Sequence, residues 1–218
     1  MTVSYINMRD FLDSIRDSIP HDCFSDAELL GIIKGTENQR YGLVKRAIAN
    51  GELLHLRRGL YCLTERYRRK PLNLFEIVQK IYGPSYISFE SALSYHAWIP
   101  EAVHSVTSAC AKRSREFTTP LGVFSFIHVP VSVFLAAVDH VAAGDGTFFM
   151  ARPWRAIADY VYAYRKSWKG IHPLVHSLRI DEEHFEQVDA DELEEIRGIY
   201  RSRRVGTFLK GVLKDLNL

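Results

Sequence analysis

Two closely spaced capping boxes, followed by a basic hairpin, constrain this chain more than any other stretch. Ser25-Asp26-Ala27-Glu28 opens the apolar run Leu29, Leu30, Ile32 and Ile33, and Thr36-Glu37-Asn38-Gln39 opens the run Leu43, Val44, Ala47 and Ile48. A Ser or Thr followed three residues later by Glu or Gln satisfies the orphan N–H groups of a helix start. The spacing predicts helices over about 26–34 and 37–49, with Gly35 making the connection a tight turn. Asn50-Gly51 is expected to end the second helix in left-handed geometry, which both residues tolerate. The segment Glu52 to Leu63 then predicts strands over 53–56 and 60–63 around Arg57-Arg58-Gly59. Upstream, Ile6, Met8, Phe11, Leu12, Ile15 and Ile19 follow a 3.6-residue period and predict a helix over 6–19, stopped by Pro20. His21 to Phe24 reads as a loop. Helix, capped helix, capped helix and two-stranded hairpin is the order of a winged helix-turn-helix, whose last helix enters the DNA major groove.

Charge placement supports that reading better than total charge does. The net charge of the 218 residues is only +2. From Thr36 to Lys70, however, nine basic residues (Arg40, Lys45, Arg46, Arg57, Arg58, Arg66, Arg68, Arg69, Lys70) stand against three acidic ones (Glu37, Glu52, Glu65). From Asp181 to Glu195 the balance reverses. Sign asymmetry between segments is what marks a surface for nucleic acid. The Arg66-Tyr67-Arg68-Arg69-Lys70 stretch reads either as a second contact to the DNA backbone or as a solvated hinge, and Pro71 after it marks a domain boundary. The expected organisation is a DNA-binding domain with its basic linker over 1–70 and a mixed α+β domain over 71–218, an α+β chain as a whole.

Within the second segment, helices are expected over about 73–82, from a Ser88 cap to about Ala97, over 154–164, and in the tail over 173–178, 183–188, 191–201 and 205–216. Strand-like runs cover 103–110, 115–118, 122–129 and 147–150, the last after a Gly144-Asp145-Gly146 turn. An apolar fraction of 47% and an aromatic fraction of 12% suffice for real cores and argue against disorder. Cys23, Cys62 and Cys110 are odd in number, far apart and without a CxxC pair, which predicts no disulfide framework and a cytoplasmic protein. The segment Met1 to Ile19 carries Arg9, Asp10, Asp13, Arg16 and Asp17 and is no signal peptide. No apolar run reaches the roughly 20 residues of a membrane span, so no membrane partner is expected.

Candidate DNA-binding residues follow from position. Asn38, Gln39 and Arg40 open the second capped helix, where side chains reach base edges; Asn and Gln pair with adenine and Arg with guanine. Lys45 and Arg46, farther along, suit phosphate. Arg57 and Arg58 beside the glycine turn form a cationic prong for phosphate or minor groove. The bland alternative for the helix is a solvated amphipathic face. Enzyme signatures are thin: no Walker loop, GxGxxG, HExxH or GxSxG occurs. His172 and His176 are four apart without a following carboxylate, which argues against zinc. Glu90, Glu101, Asp139 and Lys112 are the residues from which a nuclease centre would have to be assembled, and their spacing does not ask for one. On the helix from Trp154 to Tyr164, Tyr160, Tyr162 and Tyr164 cannot all share one face, which leaves aromatic surface for a partner or for the tail helices.

Three blocks carry a resemblance. Gly51 to Tyr61 with its Arg57-Arg58-Gly59-Leu60-Tyr61 end, Tyr86 to His96 with Ile99-Pro100-Glu101, and Pro153 to Asp159 occur in an order that resembles the AbiEi-type antitoxins, transcriptional regulators of abortive-infection systems. Trp154 and Arg155 depart from that family's usual acidic–basic pair. The resemblance spans about residues 5–165. It implies a winged-helix domain that binds double-stranded DNA at the chain's own promoter, a repeat operator. It also implies a second domain that opposes a nucleotidyltransferase-like toxin in a phage-defence toxin-antitoxin system. It brings no catalytic residue, cofactor or metal, and so no enzyme. Two other readings remain at this point: an autonomous transcription factor whose second domain binds a small ligand or dimerises, and a DNA-targeted nuclease.

Overall fold

The computed structural model describes residues 8–101, 103–144 and 146–218. The chain is α+β and divides into two compact units, Met1–Asn73 with Thr118–Leu121, and Leu74–Phe117 with Gly122–Leu218. Ile6, at the start of the first expected helix, and Asp145, at the centre of the expected 144–146 turn, lie outside the described residues.

In the first unit, α1 (Met8–Ser18) buries Phe11, Leu12 and Ile15. α2 (Asp26–Ile32) and α3 (Glu37–Ala49) follow, then β2 (Leu53–Arg57) and β3 (Leu60–Leu63). The segment expected to be a loop contains β1 (Cys23–Ser25), which pairs antiparallel with β3 to give a sheet of order β1-β3-β2. Three residues are too few to show a period of two, so this strand has no sequence signature. Its register places Cys23 opposite Cys62, and the two form a disulfide with Cα atoms 4.0 Å apart. That corrects the expectation of no disulfide framework: pairing depends on which strands meet, not on sequence spacing. Cys110 is the free, buried thiol. α1, α2, α3 and the sheet enclose one core that includes Phe11, Ile15, Phe24, Leu29, Leu43 and Leu63.

The second unit is built on a six-stranded mixed sheet of order β6-β7-β5-β4-β9-β8. Its strands are β4 (Ser85–Ile87), β5 (Val106–Cys110), β6 (Arg115–Thr119), β7 (Gly122–His128), β8 (Val138–Ala143) and β9 (Gly146–Ala151). β5 and β7 run parallel, as do β4 and β9, while β4–β5 and β8–β9 are antiparallel. β5 is buried at every position, the mark of a strand covered on both faces. β4 and β8 have no clear signature in the sequence. The first is only three residues long, and the second alternates weakly, with no residue fully buried.

The single helix expected over 73–82 is a 3-10 turn at Leu74–Ile77 followed by α4 (Val78–Ile81). No side chain caps the α-helical part, which suits a tighter first turn. α5 (Phe89–Tyr95) packs on α6 (Pro153–Ala163), and α6 on α8 (Ala190–Ile199) and α9 (Arg203–Asp215). α7 (His172–Leu178) lies between α6 and α8 in the chain.

Candidate nucleic-acid interface

The turn between α2 and α3 is held by its own sequence. Thr36 caps α3: Gln39 N–H donates to Thr36 Oγ1 at 3.3 Å, and Thr36 N–H donates to Gln39 Oε1 at 2.8 Å. Gly35 sits at φ +122°, and a Cβ there would lie 2.6 Å from Gln39 Oε1, so both backbone and cap require glycine. The matching box on α2 joins Ser25 and Glu28, and Glu28 also reaches His21 Nε2 at 2.5 Å. At the far end of α3, Asn50 is right-handed, correcting the expected left-handed pair; Gly51 alone takes positive φ (+70°). Gly51 N–H donates to Ile48 O at 3.0 Å and Glu52 N–H to Ala47 O at 2.8 Å, a Schellman stop.

α3 buries Leu43, Val44 and Ala47 and turns Asn38, Tyr41 and Lys45 outward, with Arg46 exposed on one flank. Tyr41 is 65% exposed. It is not among the residues expected from the sequence, although its spacing from Asn38 and Lys45 puts it on the same face. Gln39 is exposed but spends its amide oxygen on the cap. Arg40 is half-buried and donates from Nη1 to Gly35 O at 2.6 Å, bracing the turn. Asn38, Lys45 and Arg46 make no side-chain bond among the described residues.

The β2–β3 hairpin stands beside α3. A bulge between His55 and Arg57 breaks the alternation, so Leu56 turns inward while Arg57 stays half-buried and donates from Nη1 to Arg58 O at 3.0 Å. Arg58 is exposed, and Gly59 makes the turn at φ +71°. The tip is tied to α2: Asp26 N–H donates to Gly59 O at 3.1 Å. Tyr61, paired with His55 across the hairpin, hydrogen-bonds the Asp26 carboxylate. Burial and that carboxylate push the Tyr61 phenol up to about 12. Between α2, α3 and the hairpin lies a cleft of ≈ 570 Å³ whose lining includes Asp26, Glu37, Arg40, Tyr41, His55 and Arg58.

The basic linker is partly committed. Arg69 donates from Nη1 to Asp22 Oδ1 at 2.9 Å and also caps the end of α1 at Arg16 O and Ile19 O. Arg68 donates from Nε to Leu63 O at 2.8 Å. These residues fasten the linker to the first unit, and Arg66 and Lys70 are the exposed basic ends of the stretch. Asp22 lies 47 residues from Arg69, a distance no local pattern bridges.

The other candidates separate. Glu90 and Glu101 line a cavity of ≈ 530 Å³ in the second unit together with Glu116. Asp139 pairs with Arg152 at 2.8 Å, and Lys112 lies over the Tyr82 ring, so the four residues of the nuclease reading do not converge. His172 and His176 are adjacent, with ring centroids 4.1 Å apart, and among the described residues no third potential ligand joins them. The aromatic surface of α6 is largely covered by the tail: Tyr160 stacks on Trp168, Tyr162 meets Tyr200, and Trp154 meets Phe185. Tyr164 stays 40% exposed.

The second unit also holds a buried polar cluster whose residues were not among the candidate site residues read from the sequence. Asp159 accepts from Tyr86 at 2.9 Å, from Ser88 at 2.7 Å, from Arg155 Nε at 3.3 Å and from Tyr200. Arg155 also donates to Ala136 O at 2.8 Å and to the Tyr86 hydroxyl at 2.5 Å. Ser88 therefore stands at the start of α5 without capping it, its hydroxyl turned to Asp159. Burial works against the Arg155 charge, but Asp159, Tyr200 and Tyr86 outweigh it and raise its pKa. Burial and Asp159 push both tyrosines well above their usual range. A charged pair four apart inside the otherwise apolar helix α6 is the one signal of it in the sequence.

No protein-family model matches the chain, and no curated protein matches it at a significant level. Among the described residues no helix is long and apolar enough to cross a membrane.

Proposed function

We propose that the first unit is a winged helix-turn-helix and that the chain is a transcriptional regulator binding double-stranded DNA. The observation that carries this is the outward face of α3. Asn38, Lys45 and Arg46 are exposed with no internal role, on a helix fixed at both ends by its caps, beside a hairpin that ends in Arg58. A face that contributes nothing to the core, on a pre-set scaffold, suits a groove reader. In this reading α3 lies in the major groove. Asn38, the free amide N–H groups of Gln39 and the remaining N–H groups of Arg40 meet base edges, Lys45 and Arg46 meet phosphate, and Arg57 and Arg58 form the wing contact.

We further propose, from the resemblance, that the chain is an autorepressing antitoxin whose second unit opposes a nucleotidyltransferase-like toxin encoded beside it. The second and third resemblance blocks meet in the Tyr86–Ser88–Arg155–Asp159 cluster, in which Arg155 is itself one of the two departures from the family's pattern. A second reading, a ligand-responsive transcription factor without a toxin, draws on the ≈ 530 Å³ cavity, which is of small-molecule size.

The test is equilibrium binding of the full chain to its own upstream region and to a scrambled duplex. Tighter binding to the first is expected. Arg57→Ala with Arg58→Ala should lower the salt dependence by about two units of slope. Equal affinity for both duplexes, or an unchanged slope, would overturn the reading. Co-expression with the neighbouring gene's product tests the antitoxin role: residues 71–218 should restore growth and residues 1–70 should not.

A further inference from the structure

With α3 in a major groove and the wing contact made at the adjacent minor groove, one of the two placements open to the prong, the two elements straddle the DNA backbone. In B-form DNA these two grooves are separated by one sugar–phosphate strand. Whatever gap divides the two protein elements has to admit that strand. The first unit has such a gap, the ≈ 570 Å³ cleft, with Glu37, Arg40 and Tyr41 on its α3 wall and His55 and Arg58 on its hairpin wall. We propose that this cleft seats the phosphodiester strand between the grooves, and that Tyr41 and His55 are phosphate contacts acting through hydrogen bonds. The inference rests on the DNA-binding reading.

The charge of the cleft decides the kind of contact. Its lining carries two guanidinium groups, Arg40 and Arg58, and two carboxylates, Asp26 and Glu37. Asp26 is engaged by the Tyr61 hydroxyl, and Arg40 has turned one N–H to Gly35 O. The walls are thus close to balanced and do not attract phosphate by net charge. The hydroxyl of Tyr41 and the ring N–H of His55 lie on exposed side chains at opposite walls. Uncharged donors hold a phosphate oxygen without releasing a counterion, so they add affinity and register but no salt slope.

That distinction is measurable with the full chain and a fluorescein-labelled mixed-sequence duplex. The titration runs from about 50 to 200 mM salt at about pH 8.5. Tyr41→Phe with His55→Ala should weaken binding about ten-fold at every salt concentration and leave the slope as in wild type. Arg58→Ala should weaken binding and flatten the slope by about one unit. His55→Gln, which keeps an N–H donor, should retain most of the affinity. A double variant that binds as tightly as wild type, or one whose slope changes, overturns the inference, while a normal wild-type slope leaves the DNA-binding reading standing. Wild-type protein that binds no duplex, or binds without a salt slope, overturns that reading and the inference with it. Melting curves check folding. If the double variant melts early, Tyr41→Phe alone, which removes one oxygen, should still weaken binding at an unchanged slope; wild-type affinity in that single variant overturns the inference equally.

Discussion

The two units use polar side chains in opposite ways. In the first, hydrogen bonds that fix the helices are local: Ser25 with Glu28, Thr36 with Gln39, each across one turn of chain. Its cations remain largely at the surface. In the second, the most connected polar group is Asp159, fully buried, reached by Tyr86, Ser88 and Tyr200 from 73, 71 and 41 residues away. Local polar contacts position a surface for something outside the molecule. A buried cluster fixes how distant elements meet and is spent inside the fold. A cluster of this kind adds little net stability but is costly to break, because removing one member strands the others.

The largest expected effect follows from that asymmetry. Asp159→Ala leaves the Arg155 guanidinium buried without its carboxylate and should cost about 3–5 kcal/mol. All three tryptophans, Trp98, Trp154 and Trp168, belong to the second unit, so their fluorescence reports its unfolding alone. The midpoint of denaturant unfolding read by tryptophan should fall sharply, and Arg155→Met added to Asp159→Ala should recover part of the loss. An Asp159→Ala protein with an unchanged midpoint would show that the cluster does not hold the unit together.

The same contrast explains what could be read from the sequence. α2 and α3 were legible because each is announced by a cap and an apolar run within a few residues, and the hairpin because Gly59 marks its turn. The α6 helix was legible from Pro153 and its apolar face. The strands β1, β4 and β8 were not, since two are too short to show a period and the third has no fully buried position. Candidate interface residues were found by position. Their engagement was not, because the bond from Arg40 to Gly35 O and the salt bridge from Arg69 to Asp22 depend on how the chain folds back. Ser88 is the clearest case: its place in sequence says cap, and its partner 71 residues away decides otherwise.

The next effect belongs to the first unit. The Cys23–Cys62 bond closes a separation of 39 residues between β1 and β3, and loop-closure entropy for such a span gives about 2–4 kcal/mol. Reduction, or Cys62→Ser, should lower the first unit's stability, read by far-ultraviolet circular dichroism, and leave the tryptophan transition in place. A tryptophan midpoint that shifts by the same amount would show that the two units unfold together and would remove the basis for contrasting them.

The smallest effect tests whether the hairpin is tethered as described. The Tyr61 phenol is raised to about 12 by burial and by Asp26, so the fold prefers its neutral form. For a group whose pKa is raised on folding, the contribution is complete below the unfolded value and is lost as pH climbs through the folded one. The hydrogen bond to Asp26 should therefore support the first unit fully below about pH 10, the ordinary tyrosine value, and fade toward pH 12. Tyr61→Phe removes both the bond and the ionisation. Wild type should exceed this variant in stability by about 1 kcal/mol near neutrality, and the gap should close as the solution is made alkaline. Other buried tyrosines ionise in both proteins and cancel in the difference. A gap that stays constant across the alkaline range would show that Tyr61 does not anchor the hairpin through Asp26. The tip would then be held by the backbone bond from Asp26 to Gly59 alone.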